Sequence, residues 1–253
     1  MGMEIKNNQV TEMAGHETFV FVHGAWSGGW SWDKVRPFLE ALGHKTYAVD
    51  LPGHGEDHSD IADQTGSTYA QKVERVIRGI PEPVILVGNS MGGSVISSVG
   101  EAVPERIKKI VYLAAFLLRD GESGNGIDGS GIQPVDWYAA SEDGKTAKRI
   151  PAPIPDWMTP EQVKEEQERE RKRPLLESIA ALSGKIHVTQ ERWGKIRRFY
   201  IHCTEDEAIV PKLQVKMLEH LPCERVYVMK AGHTPQYYQP EEVCVILHDI
   251  ALR

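Results

Sequence analysis

Short unbroken apolar runs recur along this chain, separated by stretches of helical periodicity. The runs are TFVFV at 18–22, the centre of KTYAVD at 45–50, VILV at 84–87, IVYLAAFLL within 107–118, RFYIHC at 198–203 and RVYVM at 225–229. Each predicts a strand, and the first, β-branched and aromatic on both faces, suits a strand buried on both sides in a parallel sheet. Between them the spacing predicts helices. One runs from a glycine-rich turn at 23–30 to about residue 42, where Gly43 stops it. Others cover 68–79, with Tyr69, Val73, Val76 and Ile77 on one side, the stretch from Gly93 to a break at Pro104, and 210–221. The last covers 240–252, with Val243, Ile246, Leu247 and Ile250 on one face. Alternation of this kind predicts an α/β chain, a mostly parallel central sheet flanked by helices.

The rhythm stops between 119 and 195. A glycine-rich loop at 121–131 and three prolines, Pro151, Pro153 and Pro155, precede a helix that Thr159 can cap, with Pro160 in its first turn and Gln162 three residues after the cap. Its middle, KEEQERERKR at 164–173, has no apolar face, so it reads as a solvated helix held by i,i+4 ion pairs. The expected organisation is a core made of 1–118 and 196–253 with residues 119–195 inserted as a cap. Trp137, Tyr138, Trp157, Met158, Leu175, Leu176, Ile179 and Leu182 are the residues that would give the cap its packing or substrate-facing surface.

Composition narrows the classes. With 253 residues, 41% hydrophobic and 26% charged, the chain can bury a large core. A net charge of −7 argues against nucleic acid or an anionic membrane as partner. No apolar run reaches membrane-spanning length, and no basic n-region leads into an apolar h-region, so the expected compartment is the cytoplasm. Cys203, Cys223 and Cys244 are odd in number and far apart, which predicts buried free thiols rather than disulfides or a metal site.

The chemistry is concentrated where VILV runs into Gly88-Asn89-Ser90-Met91-Gly92. This is G-x-S-x-G between a strand and a helix. A serine hydroxyl must protrude to meet a base and a substrate together, and a tight strand-to-helix turn exposes it, with Gly88 and Gly92 avoiding collisions in the bend. The helix that follows also brings unpaired N–H groups close to where an oxyanion would form. In a parallel sheet the turn after the first strand, His23-Gly24-Ala25-Trp26, should lie beside Ser90. The N–H of Ala25 is then available as an oxyanion donor together with that of Met91. Carboxylates at 205–207 follow a late strand and His233 follows the last, giving the order serine, acid, histidine. His54 and His58 are loop histidines of the kind usually solvated, and neither is placed in the site.

With these residues in hand, the chain resembles the α/β-hydrolase superfamily over nearly its whole length. It is most similar to the plant methylesterase and hydroxynitrile lyase branch and its bacterial esterase relatives. The segments that carry this are FVFVHGAWSGGWSWDKV, LEALGHKTYAVDLPGHG, VILVGNSMGGSV, VYLAAF, YIHCTEDEAIVP and AGHTPQYYQPEEV. The resemblance implies an α/β-hydrolase fold with an inserted cap, Asp206 as the acid rather than Glu205 or Glu207, and Ala25 and Met91 as oxyanion donors. Lyases of this branch carry a threonine before the alanine of the first turn and a lysine after the histidine. Here those positions are Gly24 and Thr234, which favours ester hydrolysis. An elbow serine also argues against epoxide hydrolase or dehalogenase chemistry, whose family members place aspartate there. The expectation is therefore a serine carboxylesterase for small to medium esters, with Ser90, Asp206 and His233 as the triad and no metal or organic cofactor. Gly24, Trp26, Trp137, Trp157 and Thr234 are the expected substrate contacts. A small-molecule ester is the expected partner, and a homodimer is left open. A lactonase or other acyl hydrolase on the same residues is the alternative, with a hydroxynitrile lyase or a small-ligand receptor on this scaffold behind it.

Overall fold

The computed structural model describes residues 16–124, 138–150, 158–174 and 176–253. Along the chain, strand β1 is Thr18–Val22, helix α1 is Arg36–Ala41, β2 is Lys45–Val49, α2 is Gly66–Arg78, β3 is Val84–Ser90, α3 is Gly92–Ala102 and β4 is Ile107–Ala115. The next segment holds β5 (Tyr138–Ala140), β6 (Thr146–Arg149), α4 (Pro160–Lys172), β7 (Leu176–Ser178) and α5 (Ile179–Ser183). Then come β8 (Arg197–Cys203), α6 (Pro211–His220), β9 (Arg225–Met229), α7 (Pro235–Tyr238) and α8 (Pro240–Leu252).

Six strands form one sheet in the order β2-β1-β3-β4-β8-β9, each neighbour pair parallel. Period-two alternation gives each central strand two apolar faces, and each face has its own core. Val20, Val22, Leu86, Ile110 and Tyr200 pack against Tyr69, Val73 and Ile77 of α2 and Val95, Ile96 and Val99 of α3. On the opposite side Phe19, Phe21, Ile85, Val87, Phe199 and Ile201 pack against Trp32, Leu39 and the Val243, Leu247 and Ile250 stripe of α8. Each such buried side chain contributes about 1.5–3 kcal/mol.

Register decides what meets at the carboxyl edge. Val22 pairs with Gly88 and Ser90 with Ala115, so the turn after β1 and the end of β3 lie side by side. Cys203 pairs with Met229, and the loops beyond are tied together by Thr204 N–H to Met229 O at 3.0 Å and Glu205 N–H to Ala231 O at 3.0 Å.

Several expectations need adjusting. The helix expected from 30 to 42 is a short 3₁₀ turn at Gly29–Trp32 followed by α1, because Pro37 suits only a first turn. β4 stops at Ala115 rather than 118, and α2 starts at Gly66, capped by reciprocal Thr65 and Thr68 bonds. The 119–195 segment contains a three-stranded antiparallel sheet, β5-β6-β7, which its short polar strands did not signal. α4 is capped by Thr159 and Gln162 as expected. Its ion pairs, however, run i,i+3, Glu166 to Arg169 and Glu170 to Arg173, and reach outward through Lys34 to Glu165 and Arg149 to Glu170. The Arg169 guanidinium also lies over the Tyr237 ring, 4.0 Å from its centre, so one face of α4 is docked, not merely solvated. Cys203 and Cys244 are buried while Cys223 is partly so, and all three are free thiols. Among the described residues no helix is long and apolar enough to cross a membrane.

A lysine of the sheet is also buried. Lys109 on β4 is buried and donates to the Ile250 and Ala251 carbonyls at 2.7 and 2.9 Å, capping the last turn of α8. Lys109→Met is expected to lose about 1–3 kcal/mol in urea unfolding because two buried carbonyls lose their donor. Lys108→Met, which removes only a surface pair with Glu17, should change stability by less than about 1 kcal/mol.

Candidate active site

Ser90 ends β3 with φ of +55°, in the left-handed region that a non-glycine residue enters at a cost of about 1–3 kcal/mol. Close packing on three sides makes the turn unavoidable. A Cβ on Gly24 would lie 2.7 Å from Ser90 Cβ, one on Gly88 would lie 2.8 Å from Gly92 O, and one on Gly92 would lie 2.8 Å from His23 O. The Phe116 N–H holds Ser90 O at 3.1 Å. The glycines of the motif are therefore required by backbone approaching backbone, and Ser90 carries the strained dihedral.

Asp206, in the loop after β8, is buried and accepts four hydrogen bonds. Oδ1 takes the N–H groups of Ala208 and Ile209 at 2.7 and 3.0 Å, and Oδ2 takes Gln214 Nε2 at 3.1 Å and His233 Nδ1 at 2.9 Å. A carboxylate so placed fixes the imidazole with its proton on Nδ1, leaving Nε2 as the basic nitrogen. Glu205 and Glu207 are exposed, so among the three neighbouring acids only Asp206 faces the histidine. Gln214 was not signalled as functional, yet it is wholly buried on α6 and braces the acid loop, also bonding Ile209 O at 2.6 Å and accepting Cys203 N–H at 3.1 Å. Its only sequence trace is a polar residue between Leu213 and Met217 on an apolar face.

Asn89 joins this pair to the serine. Its Nδ2 donates to Leu113 O at 2.9 Å and to His233 O at 3.1 Å, and its Oδ1 accepts from Gln236 Nε2 at 3.1 Å. The residue before Ser90 thus grips the backbone of the histidine itself. Thr234 follows His233, half-buried, and leads into α7.

Gly24 packs directly on Ser90, and Ala25 follows it, half-buried. Met91 is buried and stands at the entry to α3. His23 is wholly buried, its Nδ1–H donated to Gly24 O at 2.7 Å and its Nε2 accepting Leu51 N–H at 3.2 Å. Burial, reinforced by neighbouring His54, lowers its pKa to about 3 and keeps the ring neutral. Trp26 has φ of +51° and gives both its N–H groups to the inserted segment. The backbone donates to Glu177 Oε2 at 3.1 Å and the indole to Ala147 O at 3.0 Å. His54, expected to be solvated, is instead 1% exposed and bonded to Glu177, because the 119–195 segment folds over its loop. Trp137 and Trp157 lie outside the described residues. Among the described residues, no group of three or more His, Cys, Asp or Glu is arranged to hold a metal ion.

A serine at a strained turn, an imidazole oriented by a buried carboxylate, and a backbone turn packed on that serine can together support nucleophilic attack on a carbonyl. The chain matches the model of the alpha/beta hydrolase family over residues 19–245. Salicylic acid-binding protein 2 of Nicotiana tabacum is 30% identical over 92% of this chain and 96% of its own length. Methylesterase 1 of Arabidopsis thaliana is 31% identical over 89% of this chain and 92% of its own. Among solved structures, polyneuridine aldehyde esterase superposes with a TM-score of 0.77 at 26% identity, covering 93% of this chain and 99% of that one.

The neutral His23 makes a prediction for acid stability. Between pH 6.5 and about 3 the unfolded chain binds a proton on this residue that the folded chain refuses, so stability should fall as pH drops through that window. The slope from this group is at most about 1.4 kcal/mol per pH unit. Chemical denaturation at stepped pH should show that slope reduced in His23→Gln, whatever its stability at pH 7.

Proposed function

We propose, since the chain belongs to the alpha/beta hydrolase family, that it is a serine carboxylesterase for small to medium carboxylic esters. The observation that carries this reading is the His233 Nδ1 to Asp206 Oδ2 bond of 2.9 Å, in a loop whose backbone the neighbour of Ser90 holds through Asn89. The names of the relatives, methylesterases and polyneuridine aldehyde esterase, point the same way, and the methylesterases favour esters of small alcohols.

In this reading Ser90 Oγ attacks the carbonyl carbon while His233 Nε2 takes the hydroxyl proton, and Asp206 stabilises the imidazolium that forms. The carbonyl π electrons move onto oxygen, where the N–H groups of Ala25 and Met91 meet the charge. Collapse expels the alkoxide, which leaves as alcohol with the proton from His233. Water then gives its proton to His233 and attacks the acyl-enzyme, and the same steps return Ser90 and release the acid. Gly24 admits the substrate close to Ser90, and Thr234 lacks the cation that would hold cyanide. The inserted 119–195 segment acts as a cap in this scheme. We place the enzyme in the cytoplasm on the strength of three free cysteines.

A second reading, a small-ligand receptor, draws on the name of the salicylic acid-binding relative. It gives no chemical reason for an aspartate-oriented histidine, and would require tight product binding with slow turnover.

The test is hydrolysis of p-nitrophenyl and methyl esters of short to medium acids by the wild type and Ser90→Ala. Turnover that drops by about 10³–10⁶ in Ser90→Ala upholds the esterase. Equal inertness of both proteins across the series removes it.

A further inference from the structure

Glu177, from β7 of the inserted segment, is wholly buried, and its carboxylate accepts from four donors on four parts of the chain. Oε1 takes Tyr69 OH at 2.6 Å and Ser178 N–H at 2.9 Å, while Oε2 takes His54 Nε2 at 2.9 Å and Trp26 N–H at 3.1 Å. The other nitrogen of His54 lies 3.1 Å from Pro52 O, so each ring nitrogen faces an oxygen. The pair sets a carboxylate against an imidazole, both wholly out of solvent. Burial opposes the charge on each, but their mutual attraction and bond prevail, raising His54 and lowering Glu177 from their ordinary values.

What this carboxylate holds is one of the two peptide planes that flank Ala25. In a planar trans peptide the C=O of one residue and the N–H of the next point in opposite directions, so fixing one aims the other. The plane before Ala25 contains Gly24 O and Ala25 N–H, and His23 fixes it by donating to Gly24 O at 2.7 Å. The plane after contains Ala25 O and Trp26 N–H, and Glu177 fixes that one. Trp26 sits at φ +51°, a conformation that needs an external hold, and a charge-assisted bond to its N–H supplies it.

We propose that Glu177 is a positioning residue for the oxyanion donor at Ala25, so that the inserted segment completes the donor geometry of the core. This rests on the esterase reading for its kinetic consequence, though not for its structural one. A neutral amide cannot replace the carboxylate. Glutamine has a single acceptor oxygen for four converging donors, and its NH₂ would face either Trp26 N–H or Ser178 N–H.

The test compares Glu177→Gln with Tyr69→Phe, which disturbs the same buried cluster without touching Trp26. Substrates are an ester and its thiono analogue, whose sulfur accepts hydrogen bonds poorly and so gains little from an oxyanion hole. Glu177→Gln is expected to lose about 10- to 100-fold in kcat on the oxygen ester with little change in KM, and less than about 3-fold on the thiono ester. Tyr69→Phe should keep the wild-type ratio of the two. In parallel, amide exchange at residues 24–28 should quicken in Glu177→Gln while residues 206–214 stay protected. Equal losses on both esters, or an unchanged ratio, would overturn the proposal. Should the wild type hydrolyse neither ester, the esterase reading falls, and the exchange at 24–28 decides alone: faster upholds Glu177, unchanged refutes it. If Glu177→Gln does not fold, Glu177→Asp keeps a charge for His54 but is one methylene too short to reach Trp26 as well, and is read the same way.

Discussion

The turn at Ser90 is a local conformation that its own residues disfavour. A serine at φ +55° persists because the backbones of residues 22–24, 88 and 92 close on it with no room for a side chain at the three glycines. That closeness depends on the sheet. β1 and β3 must be adjacent, parallel and in the register that sets Val22 against Gly88, and only a sheet buried under helices on both faces holds two strand ends so rigidly. The apolar runs that make up most of the core thus act on the site by fixing where two loops end.

The arm that carries Asp206 and His233 depends on the same edge in a different way. Its loops leave β8 and β9, with β4 standing between them and β3, so it reaches Ser90 across the end of a strand. Polar side chains make that span. Gln214 braces the loop of Asp206, Asp206 orients His233, and Asn89 returns the tie from His233 to the residue beside the serine. Gln214, Asp206 and Asn89 are buried with their polar atoms engaged, which is what makes a polar network rigid instead of costly.

The 119–195 segment meets the rest of the chain both through apolar packing, with Ala181, Ile186, Val188 and Trp193 in one cluster with side chains of α2 and α3, and through charge. α4 has no buried residue and docks through ion pairs and the Arg169 guanidinium on Tyr237, while β7 contributes the carboxylate at the centre of a cluster with His54, Tyr69 and Trp26. Buried pairs of this kind add little net stability compared with apolar packing, but they are exacting in geometry. On the proposed reaction, that exactness bears on the backbone turn at Gly24 and Ala25 packed against Ser90.

Much of this was written in local pattern. Unbroken β-branched runs, glycines at the elbow and the Thr159 capping box are short-range features, because strand burial, turn sterics and helix capping act over a few residues. Asp206 was separated from Glu205 and Glu207 only by resemblance, and the fold separates them physically, since one of the three turns inward to the histidine. Gln214, Asn89 and Glu177 left fainter marks: a glutamine on an apolar helix face, the variable position inside G-x-S-x-G, and a lone acid in the run LLESIAAL. Their roles come from partners 8 to 151 residues away in sequence. The antiparallel sheet of the insertion and the burial of His54 were likewise settled by tertiary contact. A hydrogen bond between distant segments leaves no periodicity in either one, so sequence determined the strands of the parallel sheet and the turns at their ends, and packing decided the short antiparallel sheet and which side chains meet.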